Sequence, residues 1–101
     1  MDDDAGSVRQ PDARFEVESH YEMASRGGFI IGRVTEGRAA PGMVALGPVT
    51  GSRFTVVGFE TLCNPGVHRC KHALIFRGSP SLGEVSEAFP IGSVVGLFVE
   101  V

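Results

Sequence analysis

The chain has 101 residues, the size of one domain, and apolar residues make up 43% of it. Its net charge of −3 arises within residues 1–13, where four aspartates stand against Arg9. The remainder carries eight glutamates against eight arginines or lysines and is neutral. A neutral body argues against tight, non-specific nucleic-acid binding, which needs a basic face.

Two features of the sequence bear on cellular location. The first four residues, Met1-Asp-Asp-Asp4, are acidic where a secretory signal is basic, so no signal peptide is expected. No apolar run approaches the about 20 residues of a membrane span, so no membrane contact is expected either. We therefore expect a cytoplasmic protein in which Cys63 and Cys70 are reduced thiols.

Residues 1–13 have low hydrophobicity and acidic charge, which predicts a disordered N-terminal tail. An acidic arm that docks on a basic partner is the alternative. Residues 14–101 are predicted to form a single domain.

The first strand shows the clearest alternation in the chain. Phe15, Val17 and Tyr21 alternate with acidic residues and His20, which predicts a half-buried strand over residues 15–22. The turn-forming run at 25–28 then leads into a second, antiparallel strand over residues 29–35. Gly32 lies within it and predicts a bulge, a barrel bend or a close approach by another group.

Turns and short apolar segments continue to the end of the chain. Pro41-Gly42 is typical of the centre of a type II turn. Further strands are predicted over residues 43–46, 53–62, 68–76 and 93–101, and residues 84–89 predict either a short strand or a helical turn. Six or seven short strands without a convincing amphipathic helix indicate an all-β barrel or sandwich.

The glycine pattern of the second strand is also similar to a known family. Arg26-Gly27, Gly32-Arg33-Val34, Gly37 and Gly42 resemble the opening of domain II of the translational GTPases, the β-barrel that follows the G domain in elongation factor Tu. Residues 58–60 resemble that domain's glycine–aliphatic–glutamate strand, and residues 90–97 its closing strand. The resemblance covers residues 14–101, more weakly over 63–89. It implies a small closed or partly closed six- to seven-stranded antiparallel β-barrel of the translation-factor domain II type.

The resemblance does not extend to nucleotide binding. A G domain needs Gly-x-x-x-x-Gly-Lys-Ser/Thr, a loop that holds the phosphates. The single lysine of this chain, Lys71, lies between Cys70 and His72, so no GTP binding is expected.

One family role can be carried over to this sequence. Glu60 matches the glutamate that in elongation factor Tu helps to line the pocket for the 3′-terminal adenosine of aminoacyl-tRNA. That pocket also uses an arginine three positions further on, where this chain has Cys63.

Cys63, His68, Cys70 and His72 are the candidate metal ligands, because cysteine and histidine are common zinc donors. In a continuous strand, however, side chains at positions i and i+4 stand about 13 Å apart, whereas zinc requires donors within about 2.3 Å. We expect no metal, no cofactor and half-buried thiols. A disulfide across the 64–66 turn is geometrically possible but disfavoured by a cytoplasmic location. Ser19 and His20 point to opposite faces, and no other hydrolytic arrangement stands out, so no enzyme is predicted.

The second strand presents a candidate binding face. Phe29, Ile31 and Arg33 share one side of it, and if Ile30 and Val34 face the core, Phe29 and Ile31 are partly exposed. In the resembled family this barrel packs against the G domain, which is missing here. An uncovered apolar patch predicts a partner or self-association, unless residues 78–90 cover it.

These observations predict a non-enzymatic binding module acting through protein or RNA contacts, with a protein or ribonucleoprotein as partner. The alternative is a small oligomeric or metal-binding protein unrelated to translation. The candidate binding residues are Arg26, Phe29, Ile31, Arg33 and Glu60.

Overall fold

The structure of this chain is a computed structural model that describes residues 9–63, 66 and 70–100. Six antiparallel strands form a closed barrel with one short helix, which confirms the predicted all-β barrel and excludes a sandwich. The elements are β1 (Ala13–Met23), β2 (Gly27–Gly37), β3 (Val44–Leu46), β4 (Arg53–Leu62), β5 (Lys71–Phe76), α1 (Leu82–Ala88) and β6 (Val94–Phe98).

The strands follow one another around the barrel in the order β1-β2-β5-β4-β3-β6. The last strand, β6, pairs with both β3 and β1 and so closes the sheet. Closure removes edge strands from the described part of the sheet, so any partner must contact a face or an end of the barrel.

The barrel interior is filled by apolar side chains from alternate residues of the strands. Phe15, Ile30, Leu74 and Leu97 are fully buried there. Paired residues of antiparallel strands point to the same side, and Ile30 is paired with Leu74. Ile30 therefore faces the core, which decides the question that the sequence left open about this strand.

Residues 82–88 form a helix, which decides between the two predicted forms of this segment. Ser81 caps it: the Ser81 hydroxyl accepts a hydrogen bond from the Glu84 amide (3.1 Å), and the Glu84 carboxylate accepts one from the Ser81 amide (3.0 Å). Val85 and the following Phe89 are buried in the main core. Their place in the interior core means that this segment closes one end of the barrel.

Gly32 lies at a close approach between β1 and β2. A side-chain carbon on Gly32 would stand 1.8 Å from the Glu16 carbonyl oxygen. The register shifts on the opposite strand, between Val17 and Ser19, so that Glu18 is the extra residue of a bulge in β1. Of the three predicted roles for Gly32, the close approach by another group is correct. The bulge lies in the neighbouring strand β1, at Glu18.

Part of the predicted tail lies within the described residues and contacts the barrel. The Asp12 amide donates to the Leu97 carbonyl (2.8 Å), and the Asp12 carboxylate accepts from the Val99 amide (2.7 Å). Residues 1–8 lie outside the described residues.

Cys63 and Cys70 are joined by a disulfide, and their Cα atoms are 4.4 Å apart. The expectation of reduced thiols was therefore wrong. The last pair of the β4–β5 ladder is Leu62 with Lys71, so the disulfide joins the next two residues across the hairpin. Strand pairing brings the two sulfurs together, so the disulfide that the sequence made geometrically possible is formed.

Replacing Gly32 by alanine should destabilise the barrel by about 3 kcal/mol or more, because the added carbon collides with backbone that cannot rotate away. Gly83→Ala is the matched control, since Gly83 lies in α1 and a carbon added there would stand 3.9 Å from the Ser81 hydroxyl oxygen. It should stabilise the protein by up to about 1 kcal/mol through helix propensity. Chemical denaturation measures both, and similar unfolding free energies for the two variants would contradict the close approach.

Replacing both cysteines by serine should lower the unfolding free energy by about 2–3 kcal/mol, the loop-closure contribution of a short disulfide loop. The strand signal in far-ultraviolet circular dichroism should stay unchanged, because neither cysteine belongs to the core. Treating the wild-type protein with a reductant should reproduce the same loss. A collapse of the strand signal would show that the barrel depends on the disulfide.

Candidate binding face

The barrel carries a second apolar cluster on its outside. It consists of Phe29, Ala73 and Ile75, which are buried, and Ile31, which is half-buried against them. Phe29 is paired with Ile75, and Ile31 with Ala73, so all four project from the same side of β2 and β5. We call these four residues the outer cluster.

Strand β5 explains how an outer cluster can form. Its residues Ala73–Phe76 are all buried, because Leu74 and Phe76 face the interior while Ala73 and Ile75 face outwards. A continuous apolar run of this kind is typical of a strand that is covered on both faces. Phe29 is only 6% exposed, so its predicted partial exposure was wrong, whereas Ile31 is half-buried as predicted.

An ion pair covers part of the outer cluster. A guanidinium nitrogen of Arg26 lies 2.7 Å from a Glu60 carboxylate oxygen. Arg26 precedes β2, Glu60 is on β4, and β5 lies between those strands, so the bridge passes over the outer face of β5. The Tyr21 ring stacks on Phe29 from the side of β1, with 6.1 Å between ring centroids.

A second ionic group borders the cluster on its other side. Glu18, the bulge residue of β1, accepts hydrogen bonds from Arg33 Nε (3.0 Å) and contacts Lys71 Nζ (2.9 Å). Arg33 also donates to Glu16 at 3.1 Å. Glu18 continues the outward-facing alternation of Arg14 and Glu16, and its one carboxylate links β1, β2 and β5.

These contacts shift the pKa values of two carboxyl groups. The hydrogen bond from Lys71, helped by the charges of Lys71 and Arg33, lowers the pKa of Glu18 below its usual 4.5. The hydrogen bond from Arg26 lowers the pKa of Glu60 in the same way, and Glu60 raises the pKa of Arg26. These pKa shifts favour the charged forms of Glu18, Glu60 and Arg26.

Exposed apolar side chains surround the outer cluster. Tyr21, Met23, Val57 and Leu62 each expose between 43% and 53% of their surface. Tyr21 is paired with Phe29, and Leu62 with Lys71, which places them on the outer side, while Val57 stands at a register shift of β4. We call these four residues the apolar rim.

All five residues predicted as binding residues lie on this face. Phe29 and Ile31 belong to the outer cluster, while Arg26, Arg33 and Glu60 form ion pairs around it. Sequence reasoning missed the β5 residues and the apolar rim. The continuous apolar run Ala73–Phe76 was the available signal for the β5 contribution.

The four candidate metal ligands do not form a site in the described part of the chain. Cys63 and Cys70 are oxidised to a disulfide, and His68 lies outside the described residues. His72 stacks on Phe59, with 4.8 Å between ring centroids, and its Nδ1 lies 3.3 Å from the Thr61 hydroxyl. No group of three or more His, Cys, Asp or Glu residues is placed to hold a metal ion among the described residues.

The two remaining candidate groups have structural contacts. His20 faces the barrel interior, where its Nε2 lies 2.5 Å from the Phe89 carbonyl oxygen, and Ser19 faces outwards opposite Ile31.

Over the described ranges, no helix has the length and apolar character needed to cross a membrane.

No protein-family model matches the chain, and no curated protein matches it.

Acid should remove the contribution of Glu18 to stability. Its pKa is lowered by folding, so the stabilisation is present above about pH 4.5 and is lost as the pH falls through the folded-state value. The difference in unfolding free energy between wild type and Glu18→Gln should therefore shrink below pH 4.5. Glu87→Gln is the control, since Glu87 forms no ion pair with a described residue. An equal pH dependence of the two variants would contradict the Glu18 network.

Proposed function

We propose that this chain is a non-enzymatic binding module that contacts a protein partner through the face formed by the outer cluster and the apolar rim. The observation that carries the proposal is the exposed apolar rim, which lies beside an apolar cluster on the outside of a barrel whose interior is already filled. Contiguous apolar surface bordered by polar residues is characteristic of interaction sites.

The charges of this face favour a protein over RNA. Three basic residues and three acidic residues surround the outer cluster and pair with one another, so their sum is zero. RNA binding needs basic groups that can contact phosphates, and both Arg26 and Arg33 are engaged by carboxylates. A neutral surface with an apolar centre suits a protein partner whose contact residues are apolar.

The resemblance to domain II of the translational GTPases supports a partner supplied by another chain. In that family the barrel packs against a G domain, and this sequence has no phosphate-binding loop of its own. We place the barrel in the translation-factor domain II type on the basis of its glycine pattern. Gly37 and Gly42 have positive φ values of 70° and 98°, which suits the turns that the pattern predicts.

Contacts around Glu60 disfavour the adenosine-binding role that the resemblance implies. Its carboxylate is paired with Arg26, and the position of the family's second pocket residue is Cys63, which is in the disulfide. A ribonucleoprotein partner is consistent with the proposal if the chain contacts its protein part.

The cellular setting can be tested independently. The resemblance favours the cytoplasm, whereas a disulfide is typical of oxidising compartments. Trapping free thiols in intact cells before lysis distinguishes the two, because a cytoplasmic pool would carry Cys63 and Cys70 in the reduced form.

Self-association is the second candidate, and the neutrality of the face favours it. Two copies related by a twofold axis can place acidic groups of one against basic groups of the other. Light scattering at several concentrations tests this directly, and a strict monomer would exclude it.

Introducing a charge into the apolar rim should abolish partner binding without unfolding the barrel. The measurement is the amount of partner protein that cross-links to the chain and is captured with it. We expect Val57→Asp and Leu62→Asp to reduce this amount about tenfold or more, since binding would bury an unpaired charge in each variant. Val49→Asp and Ile91→Asp are matched controls, because both residues are exposed and lie outside the rim. They should leave capture unchanged.

The same capture experiment separates protein from RNA. Ribonuclease treatment should not release the partner. Loss of capture on ribonuclease treatment, combined with salt-sensitive RNA binding that Arg26→Ala or Arg33→Ala removes, would overturn the proposal in favour of RNA. Equal loss in the rim variants and in the controls would show that this face is not the site.

A further inference from the structure

A separate polar cleft lies at the end of the barrel where β4 begins and β5 ends. Its volume is about 460 Å³, and its walls come from residues 52–55, residues 77–80 and Glu84. The Arg77 amide donates to the Thr55 carbonyl (2.8 Å), which holds the two walls together. None of these residues belongs to the outer cluster or to the apolar rim.

Two arginines line this cleft. Arg77 forms no ion pair with a described residue. Arg53 contacts Glu100 at 3.2 Å, but both side chains are more than half exposed, and such a pair contributes little to stability. Both guanidinium groups are thus available to an incoming anion, and arginine matches the geometry of phosphate oxygens.

Hydroxyl groups add hydrogen-bond donors beside the arginines. Ser52 Oγ accepts a hydrogen bond from the Thr50 hydroxyl at 2.9 Å, so its own proton is free to point into the cleft. The Ser52 amide in turn donates to Thr50 Oγ1 at 3.2 Å, which fixes this arrangement. Ser79 brings a second hydroxyl to the opposite wall.

Ser79 has an unusual backbone conformation. Its φ of 46° is the only positive value at a non-glycine position among the described residues. A serine in this region is less favourable than glycine, and strained residues of this kind concentrate at functional sites. The single acid of the cleft, Glu84, already accepts a hydrogen bond from the Ser81 amide.

We propose that this cleft binds the phosphate group of a small ligand, with Arg77 and Arg53 as charged donors and Ser52 and Ser79 as neutral donors. The cleft is large enough to hold a phosphate with a small organic group attached. This site is independent of the protein-binding face, so either can fail without the other.

Nuclear magnetic resonance titration of the full chain at constant ionic strength tests the proposal. Inorganic phosphate and phenyl phosphate should produce saturable shifts of the Ser52 and Ser79 amides and of the Arg77 side-chain Nε–H signal. Tighter binding of phenyl phosphate would indicate a phosphate ester as the natural ligand, and equal binding would indicate free phosphate. Acetate, an anion without tetrahedral oxygens, should cause no saturable shift at these positions.

Variants distinguish a built site from diffuse attraction. Arg77→Gln should weaken phosphate binding about tenfold, the effect of losing a hydrogen bond to a charged group. Arg38→Gln is the matched control, because Arg38 lies outside the cleft and forms no ion pair with a described residue. Ser79→Gly keeps the backbone conformation while removing the hydroxyl, so it should weaken binding several-fold without lowering the melting temperature. Non-saturable shifts, equal effects of Arg77→Gln and Arg38→Gln, or acetate binding as tight as phosphate would each overturn the proposal.

Discussion

The contact between the Glu16 carbonyl and Gly32 determines how β1 and β2 fit together. Only glycine leaves room for that carbonyl, and the strand opposite accommodates the crowding by inserting Glu18 as an extra residue. The inserted residue turns its carboxylate outwards, where Arg33 and Lys71 bind it. The close approach at Gly32, the bulge and the ion pairs of Glu16 and Glu18 therefore occupy the same part of the β1–β2 pair.

Strand β5 carries buried apolar residues on its outward-facing side. Strands of a small barrel alternate between interior and solvent, so an outward-facing residue is ordinarily polar. Strand β5 departs from this rule, since Ala73 and Ile75 are outward-facing and buried. The departure is local to the region where β5 runs between β2 and β4, and it is the reason why we propose this face, rather than another, as the binding face.

The sequence predicted the strands well because turn residues and alternation are local signals. Phe15 and Val17 alternate with acidic residues, which indicates that both face the core. Ser81 and Glu84 have the spacing of a capping box, which is a local signal for the start of α1. The exposure of Phe29 could not be predicted, because it depends on pairing with Ile75, which is distant in the chain. The disulfide was missed for the opposite reason: its two ends are close in the chain, but the expected compartment outweighed the geometry.

The outer cluster is buried, and under the proposed function a partner must first displace the side chains that cover it. The Arg26–Glu60 pair is formed by partly exposed side chains in contact with water, and pairs of this kind contribute at most about 1 kcal/mol. A partner can displace the pair at small cost and gain the apolar surface of Phe29 and Ile75 beneath it. Burial of Phe29 and Ile75 in the free chain has an advantage, since a permanently exposed apolar patch would favour non-specific aggregation. The same displacement would release Arg26 and Glu60 to pair with charges on the partner, which would contribute to specificity more than to affinity.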